Sequence, residues 1–343
     1  MLRRIVRKIG LWIAGIIFLL ACIFLCVFIW INLAKPVATQ PVTLGITYSD
    51  RYAEGLGLDP HVTYEALLDD LGVRKVRLPV YWDRIETSPG QYNFSELDWQ
   101  LQASVKRNVE VILVVGQRVP RWPECFIPAW LQNDTAARQQ SLSDFIRTTV
   151  ERYKNHPEVK VWQVENEAFL DQRFGICPPL DVNFLDREIA IVRGTDPTRS
   201  ILMSDAGEIS WWYDAAKRGD LFGTTLYRNL WHGRFGYISY PFGPNFFLFK
   251  KWLIHTFAHQ DNLMVIELQA EPWANGWIGT TSLDEQFITM DEHKLVENID
   301  YARQLGVSDI YLWGAEWWYW LKVDKNYPSV WDTAKTLFSE QRH

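Results

Sequence analysis

No Gly-x-Ser-x-Gly elbow and no Walker loop occurs anywhere in the 343 residues, so neither a serine nucleophile on a strand–helix turn nor a phosphate cradle is indicated. Glycine is thin where a nucleotide fold would need it. Gly55-Leu56-Gly57 follows the first strand-like run but lacks the third glycine of a dinucleotide loop, which argues against a doubly wound sheet. His255 and His259 have the four-residue spacing of metal ligands on a helix, but no Glu follows His255 and no third ligand is evident. A satisfied surface pair is expected there, with no metal and no cofactor. Acidic residues are missing from the first 34 positions, which hold Arg3, Arg4, Arg7 and Lys8. Without those four, 31 basic side chains face 41 acidic ones, a net −10 against −6 for the whole chain. A domain of that sign is a poor nucleic-acid partner.

Charge is also absent from Leu11 to Ile31, 21 residues that are almost all large and apolar. As a helix rising ~1.5 Å per residue they reach roughly 32 Å, enough to cross a ~30 Å hydrocarbon layer. The expected organisation is a basic cytoplasmic terminus at 1–10, a signal-anchor helix at 11–33, a Pro-containing stem at 34–41 and one domain at 42–343. The cationic flank keeps the N-terminus inside, so the chain is a single-pass membrane protein with its domain outside. A cleaved signal peptide is the alternative, with Pro36-Val37-Ala38 as a poor cleavage match. Cysteine numbers only four. Cys22 and Cys26 lie in the apolar span, while Cys125 and Cys177 lie in loops after neighbouring strands of the exported domain. A Cys125–Cys177 disulfide is plausible there, and equally open is that both stay reduced.

What the sequence has in plenty is aromatic side chains, 15% of the chain with 18 Trp. They suit a large core, and also flat sugar faces stacked on rings. Eight apolar runs alternate with helical patterns: Val42–Tyr48, Lys75–Tyr81, Val109–Val115, Val159–Val164, Ser200–Ser204, Leu221–Tyr227, Leu263–Glu267 and Asp309–Trp313. Helices are expected at Tyr64–Leu71, Leu97–Arg107, Ser141–Tyr153, Asn183–Val192 and Glu285–Leu305. Eight β/α units predict a (β/α)8 TIM barrel. The longest insertion, about 228–260, carries Tyr237, Tyr240, Phe242, Phe246, Phe247, Phe249 and Trp252, and is expected to pack as a helix on the barrel.

A TIM barrel does its chemistry at the C-terminal ends of its strands. The fourth run ends in Glu165-Asn166-Glu167 and the seventh in Val265-Ile266-Glu267. Two carboxyls at facing strand ends can converge to the ~5–5.5 Å that a retaining glycosidase requires. An ionised Glu267 would keep Glu167 protonated, and esterification of Glu267 would free Glu167 to act as base. Glu271 offers a second strand-seven carboxylate, but it lies four residues into the loop, so Glu267 is preferred. Glu165, Glu208 and Glu316 are read as structural or substrate-contacting.

These residues resemble clan A of the glycoside hydrolases, the cellulase-like family 5 group and the family 42 and 39 β-glycosidases. The resemblance rests on Val76-Arg77-Leu78-Pro79-Val80-Tyr81-Trp82, on Pro89-Gly90-Gln91-Tyr92-Asn93-Phe94, and on Asn166-Glu167, Tyr227, Glu267 and Trp313. It implies Glu167 as acid/base, Asn166 as partner of the sugar 2-hydroxyl and Glu267 as nucleophile. It further implies Arg77 and Tyr227 as the groups orienting the nucleophile, and Trp313 as a sugar platform. Trp273 is added as a rim ring. Ala168 stands where the clan usually has Pro after Asn-Glu. The expected function is therefore a retaining β-glycoside hydrolase on oligo- or polysaccharide, a monomer with no cofactor. The rivals are a transglycosylase using the same site, a silent polysaccharide-binding barrel, and a tethered interaction domain built on the 228–260 insertion.

Overall fold

A computed structural model describes residues 2–33, 42–131, 134–170 and 175–340. The stem expected at 34–41 lies outside the described residues.

Leu2–Leu33 forms one helix, within which Arg7–Asn32 is long and apolar enough to cross a membrane. Next come strands β1 (Thr43–Thr47), β2 (Lys75–Pro79), β3 (Glu110–Val115), β4 (Val159–Val164), β5 (Ser200–Asp205) and β6 (Leu221–Leu226). A small antiparallel hairpin follows, β7 (Asn229–His232) with β8 (Gly236–Ser239), then β9 (Leu263–Gln269) and β10 (Asp309–Trp313). Eight of these close a parallel barrel in the order β1-β10-β9-β6-β5-β4-β3-β2, so β9 is its seventh strand and β10 its eighth. Seam residues run in register from Thr43 opposite Asp309 to Thr47 opposite Trp313.

The eight expected strands are these eight, shifted by a residue or two at their ends. They read as near-continuous Val, Ile and Leu because a strand covered by helices outside and packed inside has no wet face. Val111, Leu113, Trp162, Val164, Ile201 and Val265 are buried in the layer between barrel and helices. Side-chain caps start the helices. Asp134 accepts from the Ala137 amide at 3.0 Å to open Thr135–Tyr153. Asp181 caps Val182–Thr195 in the same way.

The stretch expected as one helix from Glu285 to Leu305 is two, Leu283–Thr289 and Glu292–Arg303. Met290 is extended, and Asp291 caps the second helix by accepting from the Lys294 amide at 2.8 Å. A local side-chain cap overrides a pattern that reads as continuous. The 228–260 insertion is also more than a helix, since the β7–β8 hairpin precedes Pro244–Ala258.

Candidate active site

The floor of the barrel mouth is built around Arg77, whose side chain is fully buried in β2. Its Nε donates to Gln163 Oε1 at 2.8 Å, Nη1 to Glu267 Oε1 at 2.5 Å and Nη2 to Asn166 Oδ1 at 2.7 Å. One guanidinium thus ties β2 to β4, to the β4 tip and to β9. A buried cation of this kind requires a counter-ion and saturated donors, and Glu267 is that counter-ion. The other Glu267 oxygen accepts from the Tyr227 hydroxyl at 3.0 Å. Both oxygens are held, so the carboxylate is fixed at the centre of the mouth. Sequence reasoning treated Arg77 and Tyr227 as orienting groups, and both contact Glu267 directly. Glu271 lines the same cleft, but its Oε1 accepts from Arg121 Nη1 at 2.5 Å, not from Arg77 or Tyr227.

Glu167 reaches the same centre from the opposite side. Its Oε1 accepts from the Thr225 hydroxyl at 2.9 Å, and its backbone amide donates to Ser204 Oγ at 3.0 Å. Thr225 is the ladder partner of Glu267 between β6 and β9. One threonine therefore neighbours the backbone of one carboxylate and bonds the side chain of the other. Glu165 and Glu167 both sit in the left-handed region, at φ 56° and 46°. That conformation costs a side-chain-bearing residue roughly 1–2 kcal/mol, so the surroundings must impose it. They do: Glu165 accepts from the amides of Gln117 and Arg118 at 2.9 and 2.6 Å. Gly116, at φ 137°, makes room, since a Cβ there would lie 2.5 Å from the Glu165 carboxyl. Burial, then the charges of Glu267 and Glu124, push the Glu167 carboxyl well above its ordinary range.

These residues open into a cleft of about 730 Å³ lined by Glu167, Glu267, Tyr227, Trp273 and Trp313. Trp273 stands half-exposed on the rim, edge-on to Tyr227 with ring centroids 5.2 Å apart. Trp313 is nearly buried, and one approach to its ring is taken by Arg121, whose guanidinium lies 4.1 Å from it and 3.6 Å from the ring of Tyr52. Among the other aromatics, Trp82, Trp212, Trp317 and Trp318 are core, whereas Trp122 and Trp277 line the cleft.

Besides Thr225, sequence reasoning also missed Arg121 and Glu124 in the candidate site. Both lie in the loop after β3, at φ 92° and 73°, and both face the cleft. Asn166 Nδ2 points to Glu124 Oε2 at 3.4 Å. Burial, then the charge of Glu267, push Glu124 up to about 7. Cys125, the next residue, is bonded to Cys177, with Cα atoms 5.2 Å apart. The available signal was therefore position: a loop on the catalytic face with a candidate bridge beside a carboxylate. Glu165 and Glu316 are structural, the latter accepting from the Ser49 amide at 2.6 Å and from Arg121 at 3.1 Å. Glu208 lines the cleft and accepts from the Tyr227 amide at 3.1 Å. His255 pairs with Asp261, and among the described residues no cluster is arranged to hold a metal ion.

Residues 79–180 match the sequence profile of glycosyl hydrolase family 10. The matched segment runs from the end of β2 past Asn166 and Glu167. The resemblance to clan A glycoside hydrolases stands. A β-galactosidase, BgaA, of Clostridium cellulovorans is 28% identical over a stretch covering 29% of this chain and 18% of that protein. The β-galactosidase of the psychrophilic Marinomonas ef1 superposes with a TM-score of 0.57 at 15% identity, covering 88% of this chain and 60% of its own. Xylanase 10B of Thermotoga petrophila RKU-1, solved with xylobiose, also gives 0.57, at 16% identity, covering 88% of this chain and 95% of its own. This chain thus spans less than two thirds of the two β-galactosidases. At these identities the two structures establish a shared (β/α)8 barrel fold.

Proposed function

We propose that this protein is a retaining β-glycoside hydrolase that works outside the membrane by double displacement, with Glu267 as nucleophile and Glu167 as acid/base. The observation that carries the reading is the Thr225 link: its hydroxyl bonds Glu167 while its backbone is paired with Glu267. Two carboxyls brought to one threonine in this way support the close approach, ~5–5.5 Å, that a covalent glycosyl intermediate needs. In the first step Glu267 attacks the anomeric carbon as Glu167 gives its proton to the departing oxygen. In the second, water attacks the glycosyl ester as Glu167 takes a proton back. Asn166 is suited to the 2-hydroxyl, because Arg77 holds its Oδ1 and its Nδ2 reaches only as far as Glu124, a residue of the cleft wall, at 3.4 Å. The similar xylanase and β-galactosidases point to a neutral sugar, which fits a cleft lined by five carboxyls and two arginines. The membrane-spanning helix and the Cys125–Cys177 bridge support export of the barrel.

The deciding experiment is incubation with a panel of 2-deoxy-2-fluoro glycosides followed by peptide mapping. One sugar per chain on Glu267 is expected. Labelling of Glu271, or none across neutral β-glycosides, would remove the assignment. Hydrolysis is separated from transfer by product analysis in the presence of an added sugar acceptor.

Glu124 gives a pH prediction. When ionised it opposes ionisation of Glu167, and so keeps the acid protonated to higher pH. Glu124→Gln removes that charge. The basic limb of the kcat/KM profile should then move down by roughly one pH unit, with little change below pH ~6, where Glu124 is itself mostly protonated. An unmoved basic limb would show that Glu124 is not coupled to the acid.

A further inference from the structure

The helix Pro244–Ala258 has two sides of different character. Phe247 and Ile254 are buried against the barrel. On the other side Phe249, Trp252 and Phe257 are 43, 52 and 60% exposed. They touch each other: Phe249 and Trp252 stack with centroids 5.7 Å apart, and Trp252 meets Phe257 edge-on at 6.3 Å. Three contiguous large aromatics on one exposed helix face are unusual for a surface that meets only water.

What lies against this helix indicates its surroundings. Asn245 Nδ2, in its first turn, donates to the Trp30 carbonyl at 2.9 Å. The Ile31 carbonyl packs so closely on Gly243 that a Cβ there would lie 2.1 Å from it. The outer end of the apolar N-terminal helix is thus seated on the start of Pro244–Ala258. Where that apolar run ends, the hydrocarbon ends, and the headgroup zone begins. Phe249 follows Asn245 by four residues and Trp252 by seven, about 6 and 10 Å along the helix. Trp is enriched at the membrane–water boundary, and helices lying in that boundary bury Trp, Phe and Leu on their apolar face.

We propose that the Phe249–Trp252–Phe257 face lies in the outer membrane–water interface as a second attachment of the barrel to the lipid bilayer. The proposal rests on the anchor reading of the N-terminal helix. It fixes the barrel against the membrane at the helix that follows β6, so the cleft takes a set attitude to the surface. The occupant is lipid of no particular headgroup, since the patch is apolar and recruits no charge cluster.

The test uses the full chain reconstituted in phosphatidylcholine–phosphatidylglycerol vesicles, with a photoreactive benzoylphenylalanine placed singly at Trp252, Phe249, Trp30 or Val62. Val62 is a fitting control because it is 53% exposed on the helix Pro60–Asp69 between β1 and β2, away from β6 in the barrel order. After illumination, lipid adducts on tryptic peptides are counted by mass spectrometry. Probes at Trp252 and Phe249 should give about ten-fold or more adduct than Val62, and approach Trp30. Adduct at Trp30 with only control levels at Trp252 and Phe249 would overturn the proposal while leaving the anchor intact. Control levels at Trp30 as well would remove the anchor, and this docking with it. Neither result bears on the chemistry of Glu167 and Glu267.

Discussion

Glu267→Ala should lower kcat by on the order of 10⁴-fold or more, about 5.5 kcal/mol of transition-state stabilisation, because the proposed mechanism makes Glu267 the group that forms the covalent ester. The variant also strands Arg77, whose Nη1 would face a void in place of its counter-ion. Breaking a buried pair from one side costs ~3–5 kcal/mol of stability, so loss of activity alone could reflect unfolding. Glu267→Gln answers this, since its amide oxygen still accepts from Arg77 and fills the same space. It should melt close to the parent and be as inactive as the alanine form. Azide offers a sharper readout. In Glu267→Ala a small anion can occupy the vacated space and attack the anomeric carbon once, giving an inverted glycosyl azide. Near-parental turnover by either variant would exclude Glu267 as nucleophile.

Glu167→Ala should give a different pattern, and the contrast tests the assignment of the two roles. The acid matters in proportion to the basicity of the leaving oxygen. Natural glycosides, with alcohol leaving groups, should lose roughly 10²–10⁴-fold in kcat/KM. A dinitrophenyl glycoside, which departs without a proton, should form the intermediate at near-parental rate and then stall because no base activates water. Azide should relieve the stall and return a product of retained configuration. The basic limb of the pH profile should vanish too, since it reports loss of the proton that burial and Glu267 hold on Glu167. Equal losses on both substrate types would deny Glu167 the acid role.

How much of this was legible in the sequence follows from what fixes each part. The barrel strands were readable because burial on both faces leaves long Val-Ile-Leu runs that little else explains, as in Glu110–Val115 and Leu263–Gln269. Their ends were readable too, and with them the position of Glu167 and Glu267 at the strand tips. Gln163, a polar residue within an apolar strand, is a partner of Arg77 that the sequence reading does not single out. The break at Met290 and the hairpin Asn229–Ser239 were not readable, because caps and short turns act through a few local bonds that leave no periodicity. Glu124 and Arg121 were hidden for the same reason. Their approach to the cleft depends on a loop path of left-handed residues, with Arg121 wedged between Tyr52 and Trp313.

The bridge between Cys125 and Cys177 joins the loops that follow β3 and β4, the two that bring Glu124 and Glu167 to the mouth. Thiols in the cytosol stay reduced, and the bond closes only in an oxidising compartment. A newly made chain waiting inside would therefore carry a barrel whose two working loops are untethered to each other. On the proposed topology, closure of the mouth would follow transfer of the barrel to the oxidising side, and redox state would act as the timer.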